Sequence, residues 1–299
     1  MMPRPPPDMA THSMQNRFTS PADFMQSAPW PIFAPDELAA AQRVLASGKV
    51  NYWTGQEGRE FEREFAKSVD QKHAILFSNG TVSLEAAYRA LALKAGDEFV
   101  TTPRTFVATS LAGTIFGAIP VFADVERDGG NITAATIERV LTPKTKLISL
   151  VHLGGWPAEM DAIRQLADSK GIEIVEDCAQ AHQALYKGKP LGQHSEIASW
   201  SFCQDKIMTT AGEGGMLATN SNEYAESCWS FKDHGKSQTK MAAPHDGTGY
   251  RWVHDGQGTN ARMTEVQSAI GRLQLAKLPE WNAKRSKNAE TLTEALSEI

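Results

Sequence analysis

The chain has 299 residues, 41% hydrophobic and 22% charged, an ordinary globular balance with room for one large α/β domain. Its 30 basic and 35 acidic residues leave a net charge of −5, so there is no basic footprint for nucleic acid. No apolar run approaches the roughly 18 residues of a membrane span or forms a secretory signal, and Cys178, Cys203 and Cys228 lack Cys-x-x-Cys spacing, so a reducing cytoplasm is expected.

Residues 1–28 are polar and carry five prolines. They read as a disordered tail, with Met9 and Met14 as candidate internal starts. Pro35 to Gly48 is a helix opened by proline and acids and closed by glycine. Asn51-Tyr52-Trp53-Thr54-Gly55 is either a surface loop or a contact to a polar ligand through ring faces and hydroxyls. Gly58 to Val69 is a second helix, with Phe61, Phe65 and Val69 on one face. Ala74–Phe77 reads as a strand and Val82–Leu93 as a helix, joined by Ser78-Asn79-Gly80-Thr81. Free N–H groups and the helix dipole would suit an anion at that turn, although an ordinary N-cap looks the same.

The alternation continues through a strand at Phe99–Thr102 and a helix from Pro103 to Phe116 that carries Phe106. A strand at Ile119–Asp124, a short helix at Thr136–Leu141 and a buried strand at Thr145–Val151 follow. Pro157–Lys170 reads as a helix and Ile172–Val175 as a strand running into Glu176-Asp177. A second apolar run, Ala198 to Cys203, leads to Lys206 and Gly212-Glu-Gly-Gly215. Residues 232–259 read as a long irregular loop holding His234, His245 and His254. Their spacing is not helical and no cysteine assists, so no metal is expected. A long helix begins at Met263; Pro279 is expected to kink or break it, with a second helix over 280–299.

Strands alternating with helices across short connections argue for a mainly parallel sheet covered on both faces. Ligands bind such sheets at the carboxyl ends of the strands, where Ser78–Thr81, Phe106 and Asp177 fall. Two strands delivering an acid and a lysine to one edge suit pyridoxal 5'-phosphate. That cofactor needs an amine, an acid beside its pyridine nitrogen, donors for its phosphate, flat groups against its ring and a base. Taken singly, Lys206 reads as a surface lysine and Asp177 as a capping or salt-bridging acid. Their conjunction with Gln180, Ser201, Ser78–Thr81 and Phe106 favours the cofactor.

These motifs together resemble the DegT/DnrJ/EryC1/StrS family of sugar aminotransferases. The resemblance rests on Asn51–Gly55, Ser78-Asn-Gly-Thr81, Thr105-Phe106-Val-Ala-Thr109, Val151-His-Leu-Gly-Gly155 and Glu176-Asp177-Cys-Ala-Gln180-Ala-His182. Ser201-Phe-x-x-x-Lys206, Gly212–Gly215 and Gly258-Thr-Asn260-Ala-Arg262-Met complete it, in order over roughly residues 30–290. It implies fold type I of the pyridoxal phosphate enzymes: a large domain over 29–260, a C-terminal small domain beginning at 261–299, and a homodimer with shared sites. It implies Lys206 as the Schiff-base lysine and Asp177 as the pyridinium partner. Gln180 and Phe106 would lie on the two ring faces. Gly80, Thr81 and Ser201, with Asn260 from the partner subunit, would hold the phosphate. Tyr52, Trp53 and His182 would lie near the substrate. The implied reaction moves an amino group, usually from glutamate, to a keto-sugar, often nucleotide-linked or an octulosonate. It would serve polysaccharide or secondary-metabolite sugar synthesis.

Family members run longer, so most of the small domain is expected to be missing. Gln183 stands where a glycine commonly follows the histidine, and Lys206 separates the chain from the dehydratase branch, which carries histidine there. Two alternatives stay open: a truncated, inactive or regulatory relative that binds the cofactor without turnover, and a nucleotide-binding α/β protein without it.

Overall fold

A computed structural model of the chain describes residues 30–244, 247 and 252–297. The 1–28 tail and His245 lie outside the described residues. Helices α1 (Pro35–Ser47) and α2 (Glu57–Ser68) precede β1 (His73–Phe77) and α3 (Gly80–Ala90). Next come β2 (Glu98–Thr101), α4 (Ala108–Thr114), β3 (Ile119–Phe122), α5 (Ala134–Glu138), β4 (Thr145–Val151), α6 (Met160–Lys170) and β5 (Glu173–Asp177). A small hairpin, β6 (Leu185–Tyr186) and β7 (Lys189–Pro190), leads to β8 (Ile197–Ser201) and β9 (Gly215–Thr219). Helices α7 (Asn222–Lys232), α8 (Gln238–Ala242) and α9 (Glu265–Leu296) complete the order.

The main sheet runs β3-β2-β4-β5-β8-β9-β1. Its pairs are parallel from β3 through β8; only β9 runs against its neighbours β8 and β1. The carboxyl ends of β1, β2, β4, β5 and β8 therefore share one edge, and β9 begins there: Gly215 pairs with both Phe77 and Ser201. Both faces are buried, and the period of two in each strand sorts residues between two cores. Leu76, Ile148, Ile174, Trp200 and Met216 face one core, with Phe61 and Phe65 of α2. Ile75, Phe77, Leu147, Val175 and Leu217 face the other, with Leu84 and Tyr88 of α3.

Two expectations need correction. The expected break at Pro279 and second helix at 280–299 are one continuous helix, α9, with Pro279 inside it. Proline removes one ladder bond, but buried Leu275 and Leu278 tie this stretch to the core, and packing overrides the local preference. The expected loop over 232–259 contains α8, capped by Ser237, and bridges Asp233–Asn260 and Lys236–His254. Among the described residues, no helix is long and apolar enough to cross a membrane.

Candidate active site

A cavity of about 620 Å³ opens at the shared strand edge. Gly80, Thr81, Phe106, Thr109, Asp177, Gln180, Ser201 and Lys206 line it, although they come from distant parts of the chain. The turn after β1 supplies its floor. Asn79 is the N-cap of α3; its Oδ1 accepts from the Val82 N–H at 3.0 Å. A Cβ on Gly80 would lie 2.7 Å from the Ser201 Cβ, and one on Gly215 would strike the Asn79 carbonyl. Glycine at both positions lets the α3 N-terminus close against β8, where free N–H groups and the helix dipole favour an anion.

Asp177 ends β5 and is 5% exposed. Thr109 Oγ1 donates to its Oδ2 at 2.8 Å, and the Ala179 N–H to its Oδ1 at 3.1 Å. Burial pushes its carboxyl above the ordinary value; the Thr109 and Ala179 bonds oppose this, and the nearby Lys206 charge does so less strongly. The carboxylate is held in one orientation but its charge is under-compensated. A cation in the cavity would relieve that cost, which fits a protonated pyridine nitrogen.

Lys206 follows β8 in a turn whose amide bonds back to the Cys203 carbonyl. Its Nζ lies 3.2 Å from the exposed carboxylate of Asp205, and its side chain is 17% exposed. Gln180 Oε1 accepts from the Gly154 N–H at 2.7 Å, which fixes the amide on the cavity wall. Phe106 is 66% exposed, so one ring face is uncovered at the cavity mouth. The set fits pyridoxal phosphate: a helix N-terminus with hydroxyls, a buried carboxylate lacking a full counter-charge, an amine and an open aromatic face.

The three expected substrate residues, Tyr52, Trp53 and His182, do not line this cavity of their own chain. Tyr52 is buried, and its hydroxyl donates to Glu62 Oε2 at 2.9 Å, so it is not free for a ligand. Trp53 stacks edge-on against Tyr52 and Trp229 in a cluster away from this cavity. His182 lies beneath the site, 3% exposed, with Nε2 donating to the Ser201 carbonyl at 3.0 Å. Burial lowers its pKa to about 4, so the ring is neutral; its buried Nδ1 has no hydrogen-bond partner among the described residues, and the residue lines a neighbouring groove. Asn260 is exposed and does not line the cavity of its own chain.

Sequence reasoning gave no role to Thr109, which orients Asp177, nor to Glu176. A hydroxyl pair at helical spacing, Thr105 and Thr109 with oxygens 2.9 Å apart, was the legible signal for the first. Alternation within β5 points Glu176 away from Asp177, into a fully buried lock. Ala158 N–H donates to His152 Nδ1, so His152 carries its proton on Nε2 and donates it to Glu176 at 2.9 Å. Gly192 N–H, His194 N–H and Ser195 Oγ donate to the same carboxylate. Burial alone would raise the Glu176 pKa; the bonds from His152, Gly192 and Ser195 outweigh it and hold the group below its usual value. This lock braces β5 against the strand and loop around it.

The sequence model described as the DegT/DnrJ/EryC1/StrS aminotransferase family matches residues 31–299. A dTDP-3-amino-3,4,6-trideoxy-alpha-D-glucose transaminase of Streptomyces venezuelae is 38% identical over 248 residues, 83% of this chain and 62% of the relative. The chain thus spans less than two thirds of that relative's length. An aminotransferase structure from Psychrobacter cryohalolentis is 52% identical, with a TM-score of 0.89 over 91% of this chain and 69% of that one. A putative sugar aminotransferase from Streptococcus pneumoniae, solved in the PMP form, is 26% identical with a TM-score of 0.81, over 90% of this chain and 72% of that one.

Proposed function

Because the chain belongs to the DegT/DnrJ/EryC1/StrS aminotransferase family, we propose that it binds pyridoxal 5'-phosphate and transfers an amino group, from glutamate, to a nucleotide-linked keto-sugar. One observation carries the reading: a buried carboxylate, Asp177, faces a cavity shared with the Lys206 amine and the N-terminus of α3. When bound, the cofactor supplies an electron sink for the pair released as a substrate C–H bond breaks.

The chain's own groups do the rest. Asp177, oriented by Thr109 and the Ala179 amide, keeps the pyridine nitrogen protonated. The α3 N-terminus at Gly80 and Thr81, with the Ser201 hydroxyl, holds the phosphate. Phe106 covers one ring face and Gln180, anchored to Gly154, the other. Lys206 supplies the amine that binds the cofactor and then moves the proton at the substrate carbon. The reading includes a homodimer in which the partner subunit's Asn260 completes the phosphate site. Support comes from α4 and its flanks, where Val107, Leu111 and Ile115 are 51–58% exposed beside Phe106.

The purified protein, saturated with pyridoxal phosphate, should be yellow, and borohydride should fix the colour to Lys206. Glutamate should convert the absorbance. Lys206→Ala should lose both the fixed label and the conversion. A wild-type protein that takes up no cofactor would sink the proposal. A yellow protein inert to glutamate would favour binding without turnover.

A further inference from the structure

Behind Asp177 lies a buried hydroxyl cluster to which the chemistry above gives no role. Tyr88 belongs to α3, Ser149 to β4 and Thr109 to α4, and all three are fully buried. Tyr88 shares its core with Leu84 and Ala87 of the same helix, and its ring packs against Phe99 with centroids 5.4 Å apart. A hydroxyl in such a place is costly unless it is bonded. This one is bonded twice: its oxygen lies 2.7 Å from the Thr109 carbonyl oxygen and 2.6 Å from Ser149 Oγ. A carbonyl only accepts, so the single tyrosine proton goes to Thr109, and Ser149 donates to the tyrosine oxygen. Burial raises the Tyr88 pKa far above its usual value; the Ser149 bond opposes this and the Asp177 charge adds to it, so that proton stays in place.

Thr109 is where this hold acts. Its hydroxyl has one proton and two acceptors in reach: Asp177 Oδ2 at 2.8 Å and the Phe106 carbonyl, one turn back, at 3.2 Å. The Thr105 hydroxyl, 2.9 Å away, can donate to Thr109 whichever acceptor is chosen. The placement of Thr109 therefore decides where its proton points. Tyr88 holds that placement from the backbone side. Ser149 extends the hold to β4, where it pairs with Val175 of β5, two residues before Asp177. A small withdrawal of α4 from β5 would turn the hydroxyl to Phe106. Asp177 would then keep, among the described residues, only the Ala179 amide as donor.

Resting on the cofactor reading of the cavity, we propose that Tyr88 is a positioning residue that acts through Thr109 on Asp177. It keeps the threonine proton on the carboxylate, and so sets how firmly the cofactor's pyridine nitrogen keeps its own proton. Tyr88 itself does not line the cavity. Helix α3 thus serves both ends of the site: its N-terminus at Gly80 faces the anion position, and Tyr88, about two turns further on, braces the acid.

Carboxyl NMR of the full chain carrying isotope-labelled aspartate tests this without cofactor, with Asp177→Asn assigning the signal. Hydrogen bonds to a carboxylate lower its pKa. Tyr88→Phe should therefore raise the Asp177 midpoint by roughly half a unit, and Thr109→Val, which deletes the bond, by roughly one unit or more. Tyr88→Phe added to Thr109→Val should change nothing further, because the tyrosine acts through the threonine hydroxyl. In Thr109→Ser, which keeps a hydroxyl, Tyr88→Phe should again raise the midpoint. The double variant Tyr88→Phe/Ser149→Ala leaves no orphaned hydroxyl in the core; it should match Tyr88→Phe and stands in for it if the single variant does not fold. With nitrogen-labelled pyridoxal phosphate bound, the pyridine signal at neutral pH should move in Tyr88→Phe toward that of neutral pyridine. An unmoved Asp177 midpoint in both Tyr88 variants overturns the proposal. So does an equal rise in the Thr109→Val background, which would make Tyr88 a packing residue only. A wild type that takes up no pyridoxal phosphate would sink the cofactor reading, and the carboxyl titration would still judge the hold of Tyr88 on Asp177.

Discussion

His182 sets a pH limit on the fold. Its pKa falls from 6.5 to about 4 because burial disfavours the charged ring. A depressed histidine contributes stability that is fully present above the unfolded value and is lost as pH falls toward the folded one. The window is therefore pH 6.5 down to about 4, and the full loss is about 3 kcal/mol. Urea midpoints taken from pH 7.5 to 4.5 should drop for wild type more steeply than for His182→Gln. Equal slopes would mean the imidazole is not the group responsible. The same residue illustrates what single positions hide. A histidine in a site motif invites a substrate role, yet its Nε2 is spent on the Ser201 carbonyl beneath the site.

At the scale of elements, the turn from β1 into α3 matters most. Its Ser-Asn-Gly-Thr composition is legible as an N-cap, and the structure adds why glycine is needed: β8 leaves no room for a Cβ at position 80. Asn79→Ala removes the cap on Val82 and should cost about 1 kcal/mol of stability. It should also weaken retention of pyridoxal phosphate on a desalting column, since the cap shapes the N–H groups offered to the phosphate. A variant that unfolds earlier but keeps its cofactor would separate the cap from the site. The last helix shows the opposite balance: proline predicts an interruption at 279, but core contacts on both sides of it carry the helix through.

Across the whole molecule, Glu62 joins parts that are far apart in sequence. Its carboxylate accepts from the buried Lys232 ammonium at 3.0 Å, the Leu76 amide at 2.9 Å and the Tyr52 hydroxyl at 2.9 Å. Lys232 is fully buried and lies 4.3 Å from the Tyr52 ring centroid. Removing the partner of a buried charge costs several kcal/mol, so Glu62→Ala should lose roughly 3 kcal/mol in denaturant unfolding. A loss below about 1 kcal/mol would show that Lys232 finds water or another acceptor instead. This cluster occupies the place where sequence reasoning put a substrate contact: the aromatic pair Tyr52-Trp53 anchors α2 and α7 to the first loop.

Periodicity and punctuation in the chain determine a helix-covered, mainly parallel sheet and deliver Ser78–Thr81, Phe106, Asp177 and Lys206 to strand ends, because these signals are local. Strand order, the reversal at β9 and the pairing of Thr109 with Asp177 are not local; they depend on contacts between residues tens of positions apart. Tertiary structure alone also decides which polar side chains are already satisfied. The Tyr52 hydroxyl and the His182 Nε2 have partners inside the fold, whereas the buried His182 Nδ1 has none among the described residues. A buried hydrogen bond and an open one look identical in sequence, and only packing separates them.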